Sequence, residues 1–319
     1  MRAVLAALAA LLVAAGCGGG EVAAPAEPPV VRVALDFVPN AVHAPVFAAV
    51  REGLDRRRGV RLQIVPPGAQ PDSAGLLTTR RADLGLLDIH DLAIARERGL
   101  DLVGIGALVG RPLAAILAQP DVRRPRDLEG RRVGVSGLPS DPAFVKAVVR
   151  FDGGDPSRLR FTTIGFQAVS ALLSKRVAGV PAFWNAEGVA LRERGGEVTE
   201  LRVERFGAPP YPEVVLMATR ERLGERRDPL RRALAAIADG VEAVRARPEP
   251  AVREIAGAAG DADPALVRAQ LDAVLPIFAG GLRLDRVVLE RWADYDARIG
   301  IVKERPDVGR AFDLTLLPR

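Results

Sequence analysis

Cysteine is almost absent: Cys17 is the one cysteine among 319 residues. That excludes intramolecular disulfides and cysteine-built metal centres. Histidine is nearly as scarce, with only His43 and His90, so a three-histidine metal site is excluded as well. No basic block carries interleaved aromatics; the formal charge is +5, and acids and bases alternate along the chain. Nucleic-acid binding is therefore not expected. After the first 16 residues no uncharged apolar run approaches the ~20 residues that cross a bilayer. Gly-x-Ser-x-Gly, P-loop and His-Glu-x-x-His signatures are missing, so the common hydrolase, nucleotide-binding and zinc-protease chemistries have no foothold. Neither a metal nor a cofactor is expected.

What is present begins with Arg2 and the apolar run Ala3–Ala15. This run is too short for a membrane-spanning helix and suits the core of a signal peptide. It ends in Ala14-Ala15-Gly16-Cys17, which resembles a bacterial lipobox. Residues 1–16 are thus expected to be a lipoprotein signal and Cys17 the site of lipid attachment. Residues 17–29, rich in Gly, Pro, Ala and Glu, read as a flexible tether. The expected location is extracytoplasmic, anchored by lipid to the bacterial cell membrane.

The body alternates β-branched runs with helical patterns. Strands are expected at 30–37, 60–65, 84–89, 102–109 and 113–118, and helices between most of them. After about residue 120 the rhythm restarts, with strands at 132–136, 159–164, 180–185 and 198–203. A strand at 213–218 and a run of helices follow. This predicts an α/β protein of two lobes, each a mainly parallel sheet flanked by helices, with C-terminal helices added. Lobe 1 would comprise 30–118 with 207–319, and lobe 2 would comprise 119–206. A ligand would sit in the cleft, beyond the C-terminal ends of the strands.

Candidate site residues follow from that placement. Asp36, Phe37, Asn40 and His43 fall in the loop after the first strand, with Phe47 just inside the next helix. A ring, a carboxylate, an amide and an imidazole there can stack on and hydrogen-bond a flat heterocycle. Equally, Asp36 and Asn40 can cap the loop while His43 packs. Trp184, Asn185 and Glu187 end a strand of the second unit, and Phe37 and Trp184 are expected to face each other across the cleft. Asp88 and His90 end the third strand. Ser136 lies in a strand-to-helix loop in which Asp141 is expected to cap the helix. Tyr211 lies near the return crossing, while Trp292 and Tyr295 read as packing on an amphipathic helix.

The stretch Leu35-Asp36-Phe37-Val38-Pro39-Asn40-Ala41-Val42-His43 resembles the NMT1/THI5-like solute-binding family, which carries Leu-Asp-aromatic-x-Pro-Asn-x-x-His here. Ala182–Gly188 resembles the same family's aromatic-Trp-Asn-x-Glu-Gly segment. The resemblance runs from about residue 31 to about 280. It departs at Phe37 and Phe47, where pyrimidine binders usually have Trp and Tyr, and at Ala178 and Pro181. The resemblance implies a type II periplasmic-binding-protein-like clamp serving an ABC permease and its ATPase, and a monomer is expected. It implies a small-molecule ligand, first a thiamine-precursor pyrimidine, with Glu187 reading its amine. Riboflavin is an alternative, as are alkanesulfonate, nitrate or taurine. A fungal branch of the family makes such a pyrimidine enzymatically, using a cysteine-rich iron motif that this chain lacks, so a binder and not an enzyme is expected.

Overall fold

A computed structural model describes residues 27–68 and 72–317. The expected signal segment, Cys17 and the tether as far as residue 26 lie outside the described residues. The first sheet is entered by β1 (Val30–Ala34), followed by α1 (Ala44–Arg51), α2 (Leu54–Arg57), β2 (Arg61–Val65), α3 (Ser73–Thr78), β3 (Leu84–Asp88), α4 (Ile89–Glu97) and β4 (Leu102–Val109). The second sheet contains β5 (Ala114–Ala118), β6 (Arg132–Val135), α5 (Ser140–Phe151), β7 (Arg160–Thr163), α6 (Ala168–Leu173), β8 (Gly179–Phe183), α7 (Glu187–Glu193) and β9 (Thr199–Arg202). The chain returns through β10 (Val214–Thr219) to α8 (Arg220–Glu225), α9 (Arg227–Ala246), α10 (Pro248–Ala258), α11 (Pro264–Val274), α12 (Arg286–Ile299) and α13 (Val308–Ala311).

The first sheet has the order β2-β1-β3-β10-β4 and the second β7-β6-β8-β5-β9. In the first, β1 is parallel to β2 and β3, and β10 is antiparallel to β3 and β4. In the second, β6 is parallel to β7 and β8, and β5 is antiparallel to β8 and β9. The sheets are therefore mixed: the strand that arrives from the other lobe runs against its neighbours. The strand at 113–118, expected in lobe 1, belongs to the second sheet, where Ala114 pairs with Phe183 and Ala118 with Gly179. The first change of sheet thus falls at 110–113 and not near 118–121. The cause is that β4 and β5 are both buried along their whole length, so their apolar runs carry no mark of which sheet they join.

Both sheets are covered by helices. In α9 the buried residues Leu230, Ala233, Leu234, Ile237, Val241 and Val244 recur at helical spacing and face the core. At Gly240, also buried, α9 meets α1: a Cβ added there would lie 2.1 Å from the Pro45 carbonyl oxygen. Helix α12 brings Trp292 and Tyr295 inward as packing residues, in line with the sequence reading. Among the described residues no helix is long and apolar enough to cross a membrane.

Candidate functional site

A cavity of about 450 Å³ lies between the two sheets, within the usual size range of small-molecule sites. Its walls are the β1–α1 loop, the start of α3, the β3–α4 junction, the β6–α5 loop and the β8–α7 turn. These are ends of strands and starts of helices, where an α/β sheet presents its loops.

The β1–α1 loop is built by its own polar groups. The side-chain oxygen of Asn40 accepts from the Val42 N–H at 2.9 Å, and its amide donates to the Val38 carbonyl at 3.0 Å. The Asn40 backbone N–H donates to His43 Nδ1 at 3.1 Å. His43 must then carry its proton on Nε2, which donates to Asp36 Oδ1 at 2.8 Å. His43 is 1% exposed and both its nitrogens are committed, so it positions the Asp36 carboxylate at the cavity wall. Asn40 caps the loop and His43 packs within it, and both also line the cavity beside Asp36 and Phe37.

Phe37 meets a ring across the cleft, and that ring is Phe166: the centroids are 4.4 Å apart at 76°. The expected partner, Trp184, points elsewhere. Its indole N–H donates to the Pro112 carbonyl at 3.2 Å, and the Arg202 guanidinium stacks on its face at 3.9 Å. Phe183, its neighbour at the end of β8, lines the cavity instead. Phe166 follows β7 at the same edge of the sheet, and this strand-end position was the signal that could have singled it out. Trp184→Phe should lower stability by about 1 kcal/mol through the lost hydrogen bond and leave ligand affinity alone. Phe37→Ala should instead weaken a cavity ligand by about 1 kcal/mol with little change in melting. Thermal melts and titrations on both variants separate the two roles, and a large affinity loss in Trp184→Phe would contradict this assignment.

Three other expected contacts are displaced. Phe47 belongs to the core on the buried face of α1. Tyr211 is fully buried behind His90, with the ring centroids 4.9 Å apart. Asn185 is fully buried outside the cavity wall, held under α11, whose Gln270 donates to the Ala186 carbonyl at 3.0 Å. Ser136, Asp88, His90 and Glu187 do line the cavity. Asp141 does not cap α5, which starts one residue earlier. Its carboxylate closes the loop by accepting from the Ser136 N–H at 2.6 Å and the Ser136 hydroxyl at 2.7 Å.

The wall chemistry is one-sided. Asp36, Asp72, Asp88, Asp91, Asp141 and Glu187 line the cavity, against the single guanidinium of Arg98. Burial pushes the Asp141 carboxyl up to about 6, against the pull of Ser136. Burial also raises Glu187, assisted by the nearby charges of Asp141 and Asp36. Asp91 is raised well above the usual carboxylate range, again mainly by burial. Its Oδ1 accepts from the Ser140 N–H at 3.1 Å, a bond that joins the two lobes. Such a wall offers hydrogen-bond partners above all to ligands that carry amine or other donor groups. Glu213, which sequence reasoning missed, is fully buried at the return crossing. Its Oε2 accepts from the Leu113 and Ala114 N–H groups, the latter at 2.9 Å, and so ties the two crossings together.

A family model described as NMT1/THI5 like matches residues 40–251. The formylaminopyrimidine-binding protein of Halalkalibacterium halodurans is 31% identical over 59% of this chain and 58% of its own length. The 4-amino-5-hydroxymethyl-2-methylpyrimidine phosphate synthase of Legionella pneumophila is 22% identical over 55% of this chain and 56% of its own. The chain thus spans somewhat over half the length of these curated relatives. Among solved structures, a Candida albicans protein with the generic periplasmic binding protein fold superposes with a TM-score of 0.72 at 16% identity, covering 91% of this chain and 98% of that one.

Proposed function

Because the chain belongs to the NMT1/THI5-like family, we propose that it is the extracytoplasmic binding component of an ABC importer. Its cargo is a small, flat, amine-bearing heterocycle, with a thiamine-precursor pyrimidine as the first choice. The observation that carries this reading is the cavity wall of six carboxyl groups against one arginine, with Phe37 in the wall and in ring contact with Phe166 of the other lobe. The name of the Halalkalibacterium relative supports the same ligand class. A sulfonate or nitrate would find one guanidinium, Arg98, against six carboxyl groups in this wall, which disfavours the anion-binding alternatives. The fungal route to the pyrimidine uses a cysteine-rich iron motif, and Cys17 is the one cysteine here. This favours a binder over an enzyme, although relatives of lower identity are named as synthases.

In the proposed cycle Asp36, Asp141 and Glu187 take the amine edge of the ligand. The lobes close through the Asp91–Ser140 bond, the Phe37–Phe166 contact and the Gln270–Ala186 bond. Closure is driven by the ligand's higher affinity for the closed form. The closed protein docks on a permease whose ATPase powers transport, and a lipid on Cys17 keeps the protein at the membrane, in the periplasm or on the outer face of the plasma membrane. A thermal-shift panel of aminopyrimidines, riboflavin, taurine, alkanesulfonates and nitrate tests the ligand class, because selective binding to the native state raises the melting temperature. A shift with an aminopyrimidine supports the reading. A shift with riboflavin alone moves the assignment to a flavin, and a shift with an anion alone overturns it.

Affinity should also depend on pH through Asp141. In the unfolded chain this group ionises near the usual ~3.9, and in the fold at about 6. The protonated form is therefore favoured by folding, and this contribution to stability is lost as pH rises from about 4 through about 6. A ligand that donates to the carboxylate favours the ionised form. Affinity should then rise with pH by up to about tenfold per unit below about 6 and level off above it. The check is titration calorimetry across this range with a ligand whose own charge is constant, in buffers of different ionisation heat. Proton release near pH 6 is expected, and a flat profile would remove Asp141 from the ligand's contacts.

A further inference from the structure

The inner wall of the cavity holds a cluster that recognition of the heterocycle does not require. Asp88 ends β3, His90 stands in the first turn of α4 and Glu213 precedes β10. One ligand atom from each lies within 4.8 Å of the others. His90 is 1% exposed and Glu213 fully buried, yet His90 Nε2 and Glu213 Oε1 have no hydrogen-bond partner among the described residues. Unpaired buried polar atoms are few in folded proteins and mark places for a water or an ion.

The rest of each side chain is held by the fold. Asp88 Oδ1 accepts from the His90 N–H at 2.7 Å. Glu213 Oε2 is bound by the two N–H groups of the first crossing. His90 Nδ1 lies 2.8 and 2.9 Å from the two oxygens of buried Asp296. The Asp296 oxygens are much nearer than the Trp292 indole N–H, which lies 3.4 Å from the same nitrogen, so Nδ1 donates to Asp296 and Nε2 is left toward Asp88 and Glu213. A histidine that gives one ring N–H to a carboxylate and presents the other nitrogen to further ligands has the arrangement characteristic of metal-bound histidine. A lone water could also bridge the unpaired atoms, and titration with metal tells the two apart.

We propose that Asp88, His90 and Glu213 form a site for a divalent cation such as Zn²⁺ or Mn²⁺, opening on the ligand cavity through Asp88 and His90. One nitrogen and two carboxylate donors suit such ions. The scarcity of histidine excluded a three-histidine site and has no force against a set of this kind. The site does not rest on the identity of the heterocycle, because it is tested with the metal alone.

The experiment is titration of the chelator-stripped protein with Zn²⁺, and with Co²⁺ for its visible absorption, followed by calorimetry and metal analysis. One equivalent should bind, with a Co²⁺ spectrum of mixed nitrogen and oxygen ligation. Glu213→Gln and Asp88→Asn should each weaken it on the order of a hundredfold, and Asp296→Asn, which acts only through His90, by about 10–100-fold. If Glu213→Gln fails to fold, Asp88→Asn carries the same test from the cavity side. Absence of stoichiometric binding to the native protein overturns the proposal, and so does binding that persists unchanged in Asp88→Asn and Asp296→Asn.

Discussion

Glu187→Gln is expected to weaken binding of an aminopyrimidine by about 1–3 kcal/mol, roughly 5–150-fold. Glu187 opens α7, and its Oε2 accepts from the Phe183 N–H at 3.2 Å. Glutamine keeps the shape and one acceptor but loses the charge that strengthens a hydrogen bond from an amine. The same change should not harm the empty protein. Burial and the neighbouring Asp141 and Asp36 already disfavour the Glu187 carboxylate, so its removal relieves repulsion. Weaker binding with an equal or higher melting temperature is the expected pair of results, read by calorimetry and thermal melts. Unchanged affinity would show that Glu187 does not read the ligand. A joint loss of affinity and stability would mean that its role is structural.

Gly240→Ala is expected to destabilise the protein by about 3 kcal/mol, at the upper end of what overpacking costs. Helix propensity alone predicts the opposite, a gain of about 1 kcal/mol from replacing glycine inside a helix. The contact decides between them. The new Cβ would lie 2.1 Å from the Pro45 oxygen, 3.0 Å from its carbonyl carbon and 3.3 Å from the Ala49 nitrogen. All three are backbone atoms of α1, so no side chain can turn aside and the helices must separate. For a chain of this size the loss corresponds to a fall of about 6–12 °C in melting temperature. Because α1 continues from the loop that carries Asp36 and Phe37, ligand affinity should fall as well. A neutral or raised melting temperature would show that the two helices part at little cost.

Much of the architecture is legible in the sequence because a buried strand and an amphipathic helix leave different periodicities. The loop after β1 was identifiable for the same reason: it lies where a strand hands over to a helix with Pro45 in its first turn. The direction of Ala114–Ala118 and its sheet were not legible, since a strand buried on both faces looks alike in either sheet. Trp184 misled for a related reason. One position beyond the strand end decides which side a ring takes, and composition does not record that. His43 was left open between binding and packing, and only the structure shows that it both packs, through two hydrogen bonds, and lines the cavity. Asp88 and His90 were legible as strand-end residues, but their joining with Glu213 and Asp296 was not, because His90 and Asp296 are 206 positions apart.

The insertion of β10 between β3 and β4 also sets an order of events during synthesis. Strand β4 joins its sheet only through β10, so Val109 has no ladder partner until Val214 has been made. The second sheet, by contrast, is contiguous from Ala114 to Arg202. It can close while the first is still open, leaving the apolar Leu102–Val109 segment exposed in the interval. Long-range pairing of this kind is slow and prone to aggregation. For a chain proposed to cross a membrane before it folds, that delay bears on the first lobe alone, which cannot complete its sheet until Val214 has emerged.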